Sequence, residues 1–157
     1  MRFLAIDYGT KRIGLAACDE LEFGAHPLAT VHRSRSLRHD LGEILRLAGI
    51  EQIQAIVIGL PLNADGSHGP SAQAATEFSR ALSKMTALPI TMHDEYGTTM
   101  DAEEIMLEAD LSRAKRREKI DQMAAASILR SFLRHRANEK RKGQTMTTEP
   151  SADESTA

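Results

Sequence analysis

Three carboxylate positions stand where a fold could bring them together. Asp7 closes the short apolar run RFLAID, and an aspartate ending a strand is held on a rigid element at the sheet edge, where open α/β sheets place their sites. The adjacent acids Asp94 and Glu95 end a second apolar run that starts at Pro89. Successive strand residues face opposite sides, so one of the two can share a side with Asp7, and the sequence leaves open which. Asp121 stands in KIDQMAAASIL beside an apolar helical stripe, and the alanines after it permit close packing on a sheet. Two strand-end carboxylates and one from a closely packed helix make a set of hard oxygen ligands suited to Mg²⁺ or Mn²⁺. In pairs such metals clamp the attacking and leaving oxygens of a phosphoryl displacement. Singly, each acid also has a plain structural reading, Asp7 as a turn former and Asp121 as a solvated helix residue.

Candidate phosphate-binding groups follow in the chain. Asp7 opens DYGTKRIG, in which Gly9 and Gly14 would let backbone approach a phosphate closely. Lys11 and Arg12 add charge there, and the same residues equally describe a hairpin turn. The run Gly59 to Pro70 (GLPLNADGSHGP) leads from a strand into a helix, the place where backbone amides and a helix N-terminus receive an anion. Asn63, Ser67 and His68 supply side-chain donors within it. A strand-to-helix loop that long leans functional. The third candidate is the basic stretch Arg113, Lys115, Arg116, Arg117 and Lys119, suited to a phosphate backbone or to a solvated face.

Positioning these groups requires strands that end on one side and a helix laid across them. Arg2 to Asp7 and Ile13 to Cys18, joined by a short glycine-punctuated turn, predict an antiparallel hairpin, and Ala25 to His32 adds a third strand. Leu37, Leu41, Ile44, Leu45 and Ala48 recur on one helical face that Gly49 ends. Gln54 to Gly59 (QAIVIG) has the continuous β-branched character of a strand buried on both faces. A helix is predicted over Ser71 to Met85 with Ala74, Ala75, Phe78, Leu82 and Met85 in one stripe, then a strand over Pro89 to His93. A helix from about Thr99 follows, and a last one from Glu118 to Arg136 with Ile120, Ala124, Ile128 and Phe132 aligned. Three strands followed by α-β-α-β-α-α predict an α/β fold, a mixed sheet with helices on its faces.

Composition bounds the partners. The chain has 157 residues, of which 41% are hydrophobic and 27% charged, values of a globular protein rather than a disordered or collagen-like one. One compact domain is the expectation. A single cysteine, Cys18, excludes an intramolecular disulfide. No segment approaches the roughly 20 apolar residues of a membrane span, and MRFLAIDYGT turns polar too early for a signal peptide, so the expected compartment is the cytoplasm. With 4% aromatics and no tryptophan, a stacking platform for bases is disfavoured. The formal net charge of −2 conceals two poles: residues 85–111 hold seven acids and no lysine or arginine, whereas residues 112–142 hold eleven bases and three acids. From Gly143 the composition turns to Thr, Ser, Glu, Pro and Ala, so a domain over 1–138 is expected to precede a disordered polar tail over 139–157.

DYGTKRIGLA, IGLPLNADGSHGP, DEYGTT and KIDQMAAASIL, in that order and spacing, resemble the YqgF/RuvX family of pre-16S rRNA nucleases and Holliday junction resolvase homologues. The resemblance covers about residues 1–136 and implies an RNase H-like fold, a five-stranded mixed sheet in which the first three strands are antiparallel and the rest parallel. It further implies a metal-dependent cytoplasmic endonuclease acting on structured RNA or, alternatively, branched DNA, as a monomer or homodimer. Its carboxylates correspond to Asp7, Glu95 and Asp121, which would hold two metals around the scissile phosphate. One residue departs from the pattern: Tyr96 stands where the family usually carries an arginine that could hold a phosphate bidentately. A non-catalytic RNA-binding factor on the same scaffold is the alternative that this departure raises.

Overall fold

The computed structural model describes residues 1–95 and 111–146. Eight elements follow one another: β1 (Phe3–Tyr8), β2 (Arg12–Ala17), β3 (His26–His32), α1 (Leu37–Ile50), β4 (Ala55–Pro61), α2 (Pro70–Ser83), β5 (Ile90–Glu95) and α3 (Arg113–Met146). The helix expected from about Thr99, together with Tyr96, lies outside the described residues. The five strands form one sheet in the order β3-β2-β1-β4-β5. β1, β2 and β3 pair antiparallel, and β1-β4 and β4-β5 pair parallel. This is the mixed α/β sheet that the element pattern predicts, with β1, β4 and β5 all ending at the same edge.

Alternation along the strands splits the interior into two layers. Leu4, Ile6, Ile13, Leu15, Ile56 and Ile58 pack with Leu41, Ile44 and Ala48 of α1 and Phe78 and Leu82 of α2. On the other side Phe3, Ala5, Ala16, Ala55 and Val57 meet Ala125, Ala126, Ile128, Leu129 and Leu133 of α3. The strands of β1 and β4 are covered on both faces, which is why they read as continuous apolar runs. α1 starts where the Ser36 hydroxyl accepts the His39 amide at 3.2 Å. Buried Asp40 accepts the Ser34 amide on both carboxylate oxygens at 3.1 and 3.0 Å.

The helix stripes are rotated from those expected. In α2 the buried residues are Ala72, Ala75, Phe78 and Leu82, whereas Ala74 is half-buried and Met85 lies beyond the helix and exposed. In α3 the fully covered residues are Ala125, Ala126, Ile128, Leu129 and Leu133, with Ile120, Ala124 and Phe132 only half-buried. Two alanines at the centre of the contact let the helix lie close to the sheet, and the close approach, not side-chain size, sets the buried face. α3 is also longer than predicted at both ends. It begins at Arg113, so the basic stretch forms its first turns, and it runs through Met146 into the segment expected to be a disordered tail. Residues 137–145 are exposed, and their Lys, Arg, Glu, Gln and Ala are good helix formers that need no core to remain helical once the packed part nucleates them.

Candidate active site at the carboxyl edge of the sheet

Asp7 sits one residue before the end of β1, directly opposite Gly14 of β2 in the antiparallel ladder. Cross-strand partners share a face, and Asp7 follows Phe3 and Ala5 on the α3 side. Gly14 is the hinge of the arrangement. A Cβ built there would collide with the main-chain carbonyl of Asp121, so the missing side chain is what lets α3 press its backbone against β2. Glycine inside a strand commonly marks such an approach. The phosphate approach expected of Gly14 is thus replaced by the approach of a helix. Gly9 serves the turn: its amide donates to the Arg12 carbonyl at 3.1 Å, and a Cβ there would meet that same oxygen.

The opposition of Asp7 and Gly14, with Asp121 seated over Gly14, brings the two aspartates into one electrostatic environment. Burial first, and the charge of Asp121 second, push the Asp7 carboxyl up to about 6. Arg12, two residues before Gly14 on the same face of β2, donates from Nε to Oδ2 of Asp121 at 2.6 Å, with both side chains largely covered. Further bonds anchor this end of α3. Thr30 Oγ1 donates to the Glu118 carbonyl at 2.8 Å and accepts from Gln122 Nε2 at 3.2 Å, and His32 Nε2 lies 2.7 Å from Glu118 Oε1. Thr30 and Gln122 escape a reading of the sequence because neither residue type stands out. Gly14 carries a signal, a glycine within an apolar run.

Strand register decides what the sequence left open between Asp94 and Glu95. β5 pairs with β4 so that Gly59, Leu60 and Pro61 face His93, Asp94 and Glu95. His93 reaches α3, with Nε2 2.9 Å from Ser131 Oγ and its ring edge-on to Phe132 at 5.8 Å. Strand alternation therefore assigns position 95 to the α3 side, with Asp7, and position 94 to the other. Glu95 is described as backbone alone.

The anion candidates are placed unequally. In the loop after β4, Asn63 and Ser67 bond each other through Nδ2 and Oγ at 3.0 Å, and Ser67 Oγ donates to Asp65 Oδ1 at 2.6 Å. Those donors hold the loop's shape, while His68 is exposed and α2 starts at Gly69 without a side-chain cap. The loop leaves β4 at the edge where Asp7 lies. Arg113, Lys115, Arg117 and Lys119 are exposed on the first turns of α3, Arg116 is half-buried, and the helix reaches Asp121 immediately after them. Lys11 is exposed on the hairpin loop. Arg33 pins that loop, donating to the Thr10 carbonyl at 3.0 Å with its guanidinium 4.8 Å above the Tyr8 ring.

Hard carboxylate oxygens at a partly covered pair whose charges repel suit a divalent cation, whose charge would offset both. Asp7 and Asp121 supply two donors. Among the described residues no third carboxylate, histidine or cysteine joins them at metal-holding distance.

A mixed five-stranded sheet in the order β3-β2-β1-β4-β5, with one long helix laid across the face that carries Asp7, is an RNase H-like fold. The RuvC structure of Thermus thermophilus has this fold, with a TM-score of 0.51 and 15% identity over 88% of this chain and 97% of that one. The RuvX family, described as Holliday junction resolvase, matches residues 1–135, and the chain belongs to that family. Its relatives include proteins named "Putative pre-16S rRNA nuclease" from Rhodobacter capsulatus, 47% identical over 82% of this chain and 80% of that protein, and from Myxococcus xanthus, 43% identical over 85% and 87%. A third, from Moorella thermoacetica, is 44% identical over 85% of this chain and 94% of its own length. Membership makes the chain a nuclease and implies a divalent metal. Among the described residues no helix is long and apolar enough to cross a membrane.

Proposed function

We propose that this protein is an endonuclease of the cytoplasm that hydrolyses phosphodiester bonds in structured RNA, maturing the 5′ end of pre-16S rRNA. The observation that carries the reading is the meeting of Asp7 and Asp121 across Gly14, and the names of the relatives supply the substrate. Asp7, Asp121 and Glu95 would hold Mg²⁺ or Mn²⁺, which supplies Lewis acidity toward the phosphate and activation of the attacking water. The chain's own contribution is placement. β1 holds Asp7 near a rigid strand end, α3 brings Asp121, β5 carries position 95 on the same face of the sheet, and covered surroundings strengthen every charge interaction there. Arg113, Lys115, Arg116, Arg117 and Lys119 lead the phosphate backbone along the first turns of α3 toward Asp121, with Lys11 and Arg12 on the hairpin side and His68 on the β4 loop. Steep salt dependence of RNA binding is the expected signature of those contacts.

The family's description makes a four-way DNA junction the second substrate to test. Resolving a junction needs two cuts and hence two sites related by symmetry, whereas trimming one RNA end needs a single site. Incubation of a precursor 16S rRNA end and of a synthetic four-way junction with Mg²⁺, using wild type and Asp7→Asn, separates the readings. Cleavage of the RNA end, lost in the variant, is expected. Cleavage of the junction alone would reassign the substrate, and undiminished cleavage by Asp7→Asn would remove the carboxylates from the chemistry. Failure of wild type to take up Mg²⁺ at all would leave a non-catalytic RNA-binding factor.

A further inference from the structure

Arg12 is placed unusually for a residue expected only to touch a phosphate. Its guanidinium is engaged inward, on Asp121 Oδ2 at 2.6 Å, and its side chain is 25% exposed. Arg12 and Gly14 lie on one face of β2, Gly14 faces Asp7 across the ladder, and Asp121 sits over Gly14. One guanidinium is thus the only cation that pairs with this aspartate pair among the described residues. It uses Nε on a single carboxylate oxygen, so the bond is monodentate.

We propose that Arg12 is a stand-in cation whose hold on Asp121 is released by metal and redirected to the substrate phosphate, coupling metal binding to nucleic-acid binding; this rests on the function proposed above. The physical reason is charge. Two ionised aspartates and Arg12 sum to −1. A divalent ion on the aspartates neutralises them and leaves a guanidinium next to a cation, with no anion of its own in a largely covered site. A phosphodiester is the nearest anion to arrive in turn, and its planar pair of oxygens matches the guanidinium fork better than one carboxylate oxygen does. Without metal the same residue lowers the repulsion between Asp7 and Asp121, so the site stays folded and is closed to phosphate. By linkage, metal then tightens nucleic-acid binding, and nucleic acid tightens metal binding by the same factor.

The test uses the full-length chain and readouts other than cleavage. In the metal-free protein the Arg12 Nε–H proton should resonate downfield and exchange slowly with water, assigned by its loss in Arg12→Gln. Saturating Mg²⁺ should move it back toward the free guanidinium position, and a short RNA oligonucleotide added with Ca²⁺ should shift it again. Titration with Mn²⁺ should show Arg12→Gln binding the metal severalfold more tightly than wild type, since a competing cation is gone. Ca²⁺ should strengthen RNA binding by a factor in the range of about 5 to 150 in wild type, and clearly less in Arg12→Gln. Arg12→Lys should restore part of that coupling. An Arg12 signal unmoved by saturating metal, or weaker Mn²⁺ binding in Arg12→Gln, would overturn the inference and make Arg12 a fixed support of Asp121. Failure of the parent reading looks different: wild type and Asp7→Asn would then bind Mn²⁺ alike or not at all, and Arg12 would lose its role with it.

Discussion

The two faces of the sheet are built to different ends. On the side of α1 and α2, large residues interlock: Leu4, Ile6, Ile13, Leu15, Ile44, Ile56, Ile58, Phe78 and Leu82 are all buried. On the side of α3 the central contacts are small, Ala5, Ala16 and Ala55 against Ala125 and Ala126, and end in Gly14 under the Asp121 backbone. Burying more apolar area stabilises more, whereas small residues let a helix backbone come close and so determine where its side chains fall. One face holds the molecule together; the other sets the distance between two aspartates. The charges follow the same division. Asp40, in the first turn of α1, accepts the Ser34 amide on both carboxylate oxygens, whereas the pKa of Asp7, on the α3 side, is raised by burial and by the charge of Asp121.

That division predicts which variants hurt stability and which hurt the site. Ile44→Ala, in the large-residue layer, should cost about 2 to 5 kcal/mol of stability and leave cleavage per folded molecule intact. Urea unfolding followed by assay of the folded fraction checks both halves. Asp7→Asn should do the reverse. The folded carboxyl has its pKa near 6 against 3.8 as the ordinary value, so the native state binds a proton that the unfolded chain has released. Wild-type stability should therefore fall as pH rises from about 4 to 6, by up to about 3 kcal/mol. Asp7→Asn should lack that fall, be the more stable protein at pH 7.5, and cleave nothing. A variant less stable than wild type at that pH would contradict the buried, repelled state of Asp7.

Gly14→Ala tests the close approach itself. The added methyl must displace the backbone at Asp121, so a loss of about 1 to 3 kcal/mol is expected, with a loss of activity in the folded fraction that Ile44→Ala does not share. Equal activity per folded molecule in both would show that the site tolerates a shifted helix. Asp40→Asn should give a loss of stability comparable to that of Gly14→Ala but no loss of activity in the folded fraction, since Asp40 lies in α1 on the other face of the sheet. Burial raises the Asp40 carboxyl, but the bonds from Ser34 and the neighbouring His39 outweigh it and lower the pKa below the ordinary value. Its contribution is present above about pH 4 and lost as pH falls through the folded pKa. The variant should be destabilised by about 1.5 to 3 kcal/mol at pH 7 and indistinguishable from wild type in strong acid. Denaturant midpoints across pH resolve this from the opposite slope at Asp7.

The sequence by itself determined the described elements and their order, because an apolar run or a 3.6-residue apolar period is a local property of the chain. It also marked Asp7 as a strand-end carboxylate and the basic run before Asp121. It misjudged the stripe on α3, since which helical face is covered depends on how close the partner sheet comes, and that depends on Gly14, more than a hundred residues away in the chain. It placed the end of the domain at 138, because exposed polar residues look alike whether they continue a helix or leave it. Three relations come from the tertiary structure, the first of them also implied by the family resemblance. Strand pairing put position 95, and not 94, on the face of Asp7; a glycine opposite Asp7 admitted the backbone of Asp121; and Arg12 was turned inward to the carboxylate beside it. Each is a relation between distant segments, and the energies that settle it, burial, repulsion and steric contact, arise only once those segments meet.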